Sequence, residues 1–307
     1  MQIIAVPKIS KYEFDLRRYG LSHEELVERY RKEGQDIARI LTSHERHVDS
    51  VKRLGGLVSG VIHRDQLKRK TIRNVDLIIA IGGDDHFKYV SHFIDNELLM
   101  GINSDPVTSE GALNYFTIEG ISKVIERIKQ GDFETEEWTR LEAIINSRAV
   151  EPATAEYFLG ELERPAMSHY VLYHRDKFHR DKVEEQKCSG LLVVTGAGSS
   201  GWYDSACRYL YESGNRFPKT ANFARFLATE PHRGRLSGYN MAEGIIEEGE
   251  ELIIKSLSKG KAVISPDCLE RHNFERGKVA VVRISDKPLR VVRIQPNPHK
   301  QDLPVSV

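Results

Sequence analysis

The chain has 307 residues, of which 40% are hydrophobic and 29% are charged. This length predicts two domains or one large one, and the composition is ordinary for a globular protein. Lys plus Arg and Asp plus Glu number 45 each, so the formal net charge is zero and nothing indicates a nucleic acid or an anionic membrane as a partner.

The cysteines and the apolar segments indicate the cellular compartment in which the protein is expected. Cys188, Cys207 and Cys268 lie far apart and form no CxxC pair, which argues against a disulfide framework or a zinc site and favours a reducing compartment. We expect all three to be small buried side chains. No apolar segment approaches the ~20 residues needed to span a bilayer. We therefore expect a cytoplasmic protein, mitochondrial only if a transit peptide has been removed.

Predicted strands alternate with predicted helices in the first part of the chain. Ser22 with Glu25 forms an S-x-x-E capping box at the start of a helical pattern, which Gly34 interrupts. The other elements predicted here are strands at 2–6, 57–62, 75–81 and 98–102, and helices around 48–54, 87–94 and 118–128. The strand at 75–81 is apolar throughout except for Asp76, which is typical of a parallel strand covered on both faces. This alternation predicts an α/β domain with a doubly wound, Rossmann-like parallel sheet.

The second half has a different pattern. Short strand-like runs follow one another with turn signals between them, which predicts a mostly β, sandwich-like domain. The runs lie at 141–146, 157–159, 169–174, 191–195, 252–254, 262–264, 279–284 and 289–294, and one helix interrupts them at 204–212. We therefore expect an α/β nucleotide-binding domain at 1–135, a β-rich domain at 136–290, and a tail at 291–307 that could pack back on the first domain.

A glycine pair follows the strand at 75–81 and is the first candidate site. Gly82-Gly83 would let backbone N–H groups approach a phosphate, because ligands bind at the carboxyl ends of parallel strands. Asp84 comes next and could bind Mg²⁺ or accept a proton from a hydroxyl nucleophile. A tight turn with an Asp N-cap explains the same three residues equally well.

A second candidate site is the segment at 195–202, which reads TGAGSSGW between a predicted strand and a predicted helix. Its small residues and hydroxyls would let a ligand lie against the backbone, and Trp202 could stack on a base or form a pocket wall. A flexible Gly/Ser turn with an N-cap is the other explanation of this segment.

These motifs occur in the order found in NAD kinases, and the chain resembles that family from the first strand to about residue 290. The family carries a GGDGT motif, a G-[IV]-N segment and a TPTGSTAY-like loop, which are similar to 82–86, 101–103 and 195–202 here. The resemblance is strongest to the mitochondrial-type branch, through the segments at 11–14, 104–111, 185–191 and 230–231.

The resemblance implies a reaction and its participants. It implies transfer of the γ-phosphoryl of ATP to the 2′-hydroxyl of the adenosine ribose of NAD, with Mg²⁺. Asp84 matches the family's essential Asp and would activate or orient that hydroxyl, and Asp84 and Asp85 are the candidates for binding Mg²⁺. The residues that the resemblance places around the nucleotides are Gly82, Gly83, Asp85, Asn103, Glu156, Ala197, Ser200, Trp202, Ser205 and Asp267.

Three residues depart from the family's pattern. Asp85 stands where the motif has Gly, His86 where it has Thr, and Ala155 where an Asn normally precedes Glu156. An unpaired carboxylate ~4 Å from a phosphate oxygen disfavours binding by about 1–4 kcal/mol, and Asp85 avoids that penalty if it binds Mg²⁺ instead.

Other functions therefore remain open beside an NAD kinase. One is a non-catalytic protein that binds NAD(P) or another nucleotide on the same scaffold, and another is a kinase with a different acceptor or phosphoryl donor. The resemblance also implies a homo-oligomer, a dimer or a tetramer, whose partners are small-molecule nucleotides.

Overall fold

The structure is a computed structural model, and it describes residues 1–208, 216–235, 237 and 240–295. Its contacts divide the chain into two compact units. Unit 1 comprises Met1–Thr135 together with the described residues from Val291 onward, and unit 2 is Glu136–Arg290. Within these described residues, no helix is both long and apolar enough to cross a membrane.

The elements have the following bounds. The strands are β1 (Ile3–Pro7), β2 (Gly60–Val61), β3 (Leu77–Gly82), β4 (Leu98–Asn103), β5 (Phe116–Thr117), β6 (Glu134–Trp138), β7 (Leu141–Ile145), β8 (Arg148–Ala149), β9 (Glu156–Glu161), β10 (Ser168–Arg175), β11 (Asp181–Cys188), β12 (Gly190–Val194), β13 (Phe223–Thr229), β14 (Glu243–Glu247), β15 (Glu251–Ser256), β16 (Ala262–Pro266), β17 (His272–Asn273), β18 (Val279–Ile284) and β19 (Leu289–Arg293). The helices are α1 (Lys11–Tyr19), α2 (His23–Lys32), α3 (Ile37–Gly55), α4 (Arg69–Ile72), α5 (Asp84–Ser91), α6 (Ile121–Lys129) and α7 (Trp202–Cys207), and a 3₁₀ turn covers Arg64–Gln66.

A mainly parallel sheet forms the centre of unit 1. Its order is β2-β1-β3-β4-β19-β6, with β5 also paired to β4. Every residue of β3 and β4 is buried, and the two strands pair in parallel from Leu77 opposite Leu98 to Gly82 opposite Asn103. This burial on both faces explains the continuous apolar run and confirms the predicted α/β class with a parallel sheet.

Three helices that follow β1 begin at side-chain caps. Ser10 and Glu13 form a capping box on α1, Ser22 and Glu25 form the predicted one on α2, and Asp36 caps α3 by accepting from Arg39 N. Gly34 has φ +66° and separates α2 from α3, as its position in the helical pattern suggested. Helix α1 was not predicted, although it carries the same S-x-x-E signal as α2.

Several element predictions differ from the structure. The helix expected around 48–54 is the second half of α3, and the one expected at 87–94 is observed at Asp84–Ser91. The strand expected at 57–62 is only Gly60–Val61, and α6 begins at Ile121 rather than Ile118 because Gly120 precedes it with φ +70°. The helix expected at 204–212 is observed at Trp202–Cys207, and positions 209–212 lie outside the described residues. The strand at 289–294 belongs to the unit 1 sheet rather than to the β-rich half.

Unit 2 consists of two antiparallel six-stranded sheets, with orders β11-β10-β15-β18-β7-β8 and β14-β13-β12-β9-β16-β17. Side chains from both sheets form one buried cluster, which includes Leu172 and Leu252 of the first sheet and Tyr157 and Phe226 of the second. This arrangement confirms the predicted sandwich-like β domain. Cys188 and Cys207 are buried as expected, but Cys268 is exposed, because it follows Asp267 in a turn where both residues have positive φ.

Strand β19 lies beside β4 in the sheet, with Val291 opposite Leu99. Val292 has no exposed surface and joins the apolar cluster of unit 1. The part of the predicted tail after residue 295 lies outside the described residues.

We expect Val292→Ala to lower the free energy of unfolding by about 2–3 kcal/mol, because it leaves a cavity in the core of unit 1. Urea unfolding followed by circular dichroism measures the change. Arg290→Ala, on the exposed side of the same strand, is the matched control and should change stability by less than about 0.5 kcal/mol. Equal effects of the two variants would contradict the burial of β19.

Candidate functional site

The glycine turn joins β3 to α5. Gly83 is the N-cap residue of α5 and has an extended backbone. A Cβ on Gly82 would lie 2.8 Å from the Cβ of His86, and a Cβ on Gly83 would lie 3.1 Å from Ser109 Oγ. The first distance is too short for any side chain, so close packing against the first turn of α5 requires glycine at position 82.

Asp84 is held by the segment at 112–114. Its Oδ1 accepts hydrogen bonds from Leu113 N at 2.8 Å and Asn114 Nδ2 at 2.9 Å, and its Oδ2 accepts one from Ala112 N at 3.0 Å. A carboxylate offers about four acceptor positions, so these three bonds fix the orientation of Asp84 and leave capacity for a further donor.

Asn103 lies opposite Gly82 at the carboxyl end of β4, which is the neighbouring strand end that the sequence predicted. Its Nδ2 donates to Ser109 O at 2.9 Å, and its Oδ1 accepts from Asp105 N at 3.1 Å. Gly111 has φ +65°, and a Cβ there would lie 2.4 Å from Asn103 Nδ2. Asn103 therefore shapes the loop from 104 to 111, which in turn contacts the glycine turn.

Asp105 is a buried carboxylate in this loop whose surroundings were not predicted. Arg46 Nε donates to it at 2.6 Å, Ser43 Oγ donates at 2.6 Å, and Thr108 Oγ1 donates to it as well. Burial opposes its ionisation, but these hydrogen bonds outweigh burial and lower the pKa of Asp105 to about 2. The loop is thus fixed to α3 by a charged pair.

The two unusual residues of the motif have opposite environments. The side chain of Asp85 is 85% exposed, and Lys88 Nζ lies 3.1 Å from its Oδ1. His86 is only 3% exposed, and its Nε2 donates to Val6 O at 2.7 Å. Burial lowers the pKa of His86 to about 3, so the ring is neutral at physiological pH and joins β1 to α5.

In unit 2, Asp267 holds the start of β9 in place. It is fully buried with φ +51°, and its carboxylate accepts hydrogen bonds from the N–H groups of Thr154 at 3.0 Å, Ala155 at 2.7 Å and Glu156 at 3.1 Å. Its own N–H donates to Glu156 O at 2.8 Å. Asp267 therefore fixes the backbone that carries Glu156, and this was not foreseen from its isolated position in the sequence.

The loop at 195–201 packs on the same backbone. Thr195 Oγ1 donates to Thr154 O at 2.6 Å, and a Cβ on Gly198 would lie 2.3 Å from Ala155 O and 2.9 Å from Glu156 Oε2. The structure thus brings together the segment at 154–156, Asp267 and this loop, three parts of the chain far apart in sequence. The absence of a side chain at Gly198 is what permits the contact.

The remaining predicted residues lie in this loop or directly after it, and their exposure differs. Ala197 is buried, Ser200 is half-buried, and Ser205 is exposed with its Oγ donating to Gly201 O at 3.3 Å. Trp202 is 37% exposed and stacks on Phe158 with ring centroids 5.0 Å apart. Cys268 Sγ lies 3.7 Å from Glu156 Oε1, so an exposed thiol borders this carboxylate.

The fold that carries these features is that of an NAD kinase. An NAD kinase from Archaeoglobus fulgidus, solved in complex with ATP, matches the chain with a TM-score of 0.63 and 17% identity, and the match covers 95% of this chain and 94% of that one. The similarity includes both units, the parallel sheet and the β-rich part, and confirms the predicted fold class.

The sequence is likewise similar to kinases of NAD and NADH. Mitochondrial NAD kinase 2 of Rattus norvegicus is 22% identical over 254 residues, which cover 66% of this chain and 59% of the relative. A probable NADH kinase of Oryza sativa is 23% identical over 248 residues, covering 75% of this chain and 74% of the relative. The predicted resemblance to the NAD kinase family is confirmed.

Two facts limit the extent of this similarity. Human NAD kinase 2 is 22% identical, and the aligned part spans 57% of its length, so the chain covers less than two thirds of the mitochondrial relatives. No family model matches the chain.

The buried neutral His86 makes stability depend on pH. Below its ordinary pKa of 6.5 the unfolded chain takes up a proton at this position, whereas the folded chain does so only near pH 3. Stability contributed at neutral pH is therefore lost as pH falls from 6.5. We expect His86→Gln to reduce the slope of unfolding free energy against pH between 6 and 4.5 by about 1 kcal/mol per pH unit. Urea unfolding at several pH values measures it, and equal slopes for both proteins would contradict a buried neutral ring.

Gly198→Ala should disturb the unit 2 loop. The added methyl group would collide with the Ala155 carbonyl, so we expect a loss of about 1–3 kcal/mol in stability, as for other overpacked positions. Gly56→Ala is the control, because Gly56 has a right-handed helical backbone and no atom would lie within 4 Å of the added Cβ. Thermal unfolding of both variants tests the contact, and a Gly198→Ala protein as stable as the control would be inconsistent with it.

Proposed function

We propose that the chain is an NAD kinase, which transfers the γ-phosphoryl of ATP to the 2′-hydroxyl of the adenosine ribose of NAD and forms NADP. The observation that carries this proposal is the position of Asp84, a fixed carboxylate directly after a glycine turn at the carboxyl end of a parallel sheet. The relatives named as NAD and NADH kinases support the choice of acceptor.

Asp84 is suited to receive the proton of the attacking hydroxyl. The segment at 112–114 fixes its carboxylate, and the remaining acceptor position can take a hydrogen bond from the 2′-hydroxyl. As the hydroxyl oxygen forms a bond to the γ-phosphorus, its proton moves to Asp84, the bond to the bridging oxygen breaks, and ADP leaves. Gly82 and Gly83 keep the backbone clear of side chains where the phosphates would bind.

Unit 2 carries a group of proposed nucleotide contacts of its own. Glu156, on a backbone fixed by Asp267, is the proposed acceptor for hydroxyls of the adenosine ribose, and the loop at 195–202 is proposed to line the adenine with Trp202 at its end. Ala155 offers only a methyl group, so Glu156 provides this contact without the usual amide beside it.

Magnesium would come with the nucleotide. Among the described residues no group of three or more His, Cys, Asp or Glu side chains is placed to hold a metal ion. Of the two candidates, Asp85 fits the chemistry, because Mg²⁺ is commonly held by one or two carboxylates together with substrate phosphates, whereas the acceptor position left on Asp84 is assigned to the 2′-hydroxyl. When bound, the ion would neutralise charge on the phosphates. Lys88, beside Asp85, would reduce the repulsion between this carboxylate and ATP.

A nucleotide-binding protein without turnover is the second candidate. It is favoured by the three hydrogen bonds that Asp84 already accepts from its own chain, since they compete with substrate for the same oxygens. A homo-oligomer and a cytoplasmic location remain predictions that accompany the kinase proposal.

The direct test measures NADP formed from NAD, ATP and Mg²⁺. We expect turnover by the wild type and a decrease of about 10²–10⁴-fold in Asp84→Asn, the range typical of a lost general base. Asp49→Asn is the control, because this exposed carboxylate of α3 pairs with Arg53 and with no other cation among the described residues. NAD binding by calorimetry without any NADP would reject the kinase and favour the second candidate.

A further inference from the structure

Lys8 lies next to the glycine turn and was not among the predicted site residues. It follows β1, and its backbone N–H donates to Ile81 O at 3.0 Å, one residue before Gly82. Two residues earlier, Val6 O accepts the hydrogen bond from His86. The end of β1 is thus joined to both sides of the glycine turn.

The ammonium group of Lys8 has no ion-pair partner in the part of the chain that the structure describes. Within the described part of the chain no carboxylate lies at ion-pair distance from it, and the neighbouring Asp105 already binds Arg46 at 2.6 Å. The side chain is half-buried, and burial lowers the pKa of Lys8 more than Asp105 raises it. A bound anion would therefore be favoured, because it would stabilise a charge that burial disfavours.

A cavity of about 450 Å³ opens beside Lys8 and carries an excess of positive charge. Lys8, Lys11 and Arg39 line it, whereas its one lining carboxylate, Asp36, caps α3 by accepting from Arg39 N at 3.0 Å. Lys11 pairs with Asp15, but Arg39 is exposed and has no ion pair among the residues described. Two cations, Lys8 and Arg39, therefore line the cavity with no ion-pair partner among the described residues.

The cavity is connected to the glycine turn through one loop. Thr108 lines the cavity, and the next residue, Ser109, approaches Gly83 and accepts from Asn103 Nδ2 at 2.9 Å. A chain of phosphates lying along Lys8 would therefore run from the cavity toward the turn. A volume of this size is within the range of small-molecule sites.

We propose that this cavity binds the phosphate chain of the phosphoryl donor, with Lys8 and Arg39 as its anion-binding residues. The chemistry they recognise is a linear polyphosphate, which a nucleoside triphosphate and inorganic tripolyphosphate share. Its role as the donor's site rests on the proposed kinase function, whereas binding itself does not.

The experiment is calorimetric titration of the full chain with sodium tripolyphosphate and, separately, with ATP, both without NAD. We expect both ligands to bind, and Lys8→Met and Arg39→Gln each to weaken binding about tenfold to a hundredfold, as for loss of a hydrogen bond to a charged group. Because Arg39 is exposed, its variant should fold even if Lys8→Met does not, and circular dichroism checks both.

Lys52→Met is the matched control. Lys52 lines a second cavity of about 310 Å³ that Lys8 also lines but Arg39 does not, so the variant should bind tripolyphosphate as the wild type does. Weakened binding in Lys52→Met with normal binding in Arg39→Gln would place the anion in that second cavity and overturn the proposal. Failure of the wild type to bind tripolyphosphate, or wild-type affinity in both pocket variants, would overturn it as well.

Different results would reject the kinase proposal and the anion-site proposal. Tripolyphosphate binding that depends on Lys8 and Arg39, without NADP formation, would retain the anion site and reject the kinase. NADP formation with an unchanged KM for ATP in Arg39→Gln and Lys8→Met would retain the kinase and reject this cavity as the site of the phosphoryl donor.

Discussion

Burial of β3 and β4 on both faces is the constraint on which unit 1 depends. Strands with no exposed face cannot carry polar side chains along their length, so polar groups are confined to the strand ends. The parallel register then places Gly82 opposite Asn103 and brings the two ends together. The glycine turn, the loop after β4 and the end of β1 consequently meet at one edge of the sheet, where their side chains bond to one another.

Both units use the same physical device to fix an irregular segment. In unit 1 the carboxylate of Asp84 accepts three N–H donors from 112–114, and in unit 2 Asp267 accepts three backbone N–H groups from 154–156. A carboxylate offers enough acceptor positions to satisfy several donors that no strand or helix would satisfy. The two carboxylates differ in exposure. Asp84 is half-buried and accessible from outside, whereas Asp267 is fully buried and fixes the backbone of Glu156.

The sequence predicted those parts of the fold that depend on residues close together along the chain. The apolar run of β3 and the capping box at Ser22 were recognised because their patterns depend on neighbours in sequence. Other features depend on residues that are distant in sequence, so no short segment of the chain could predict them. They are the sheet to which β19 belongs, the hydrogen-bond donors to Asp84 and the surroundings of Lys8. Cys268 was expected to be buried by composition, but a turn with positive φ exposes it. The family resemblance predicted Asp84 and Glu156 as site residues, and the structure shows which groups hold them.

The position of β19 has a consequence for the order of folding during synthesis. A chain leaves the ribosome from its N-terminus, and domains generally fold as units as they emerge. Unit 1 cannot follow this order, because the strand that pairs with β4 on its second edge is made only after β7 to β18. Until then only β5 pairs with this edge of β4, at Ile102 and Asn103, and the unpaired remainder around Leu99 is a template for pairing with another chain. The β-rich unit can therefore complete its sheets before the unit that precedes it, and the nascent protein would depend on protection of that edge while translation continues.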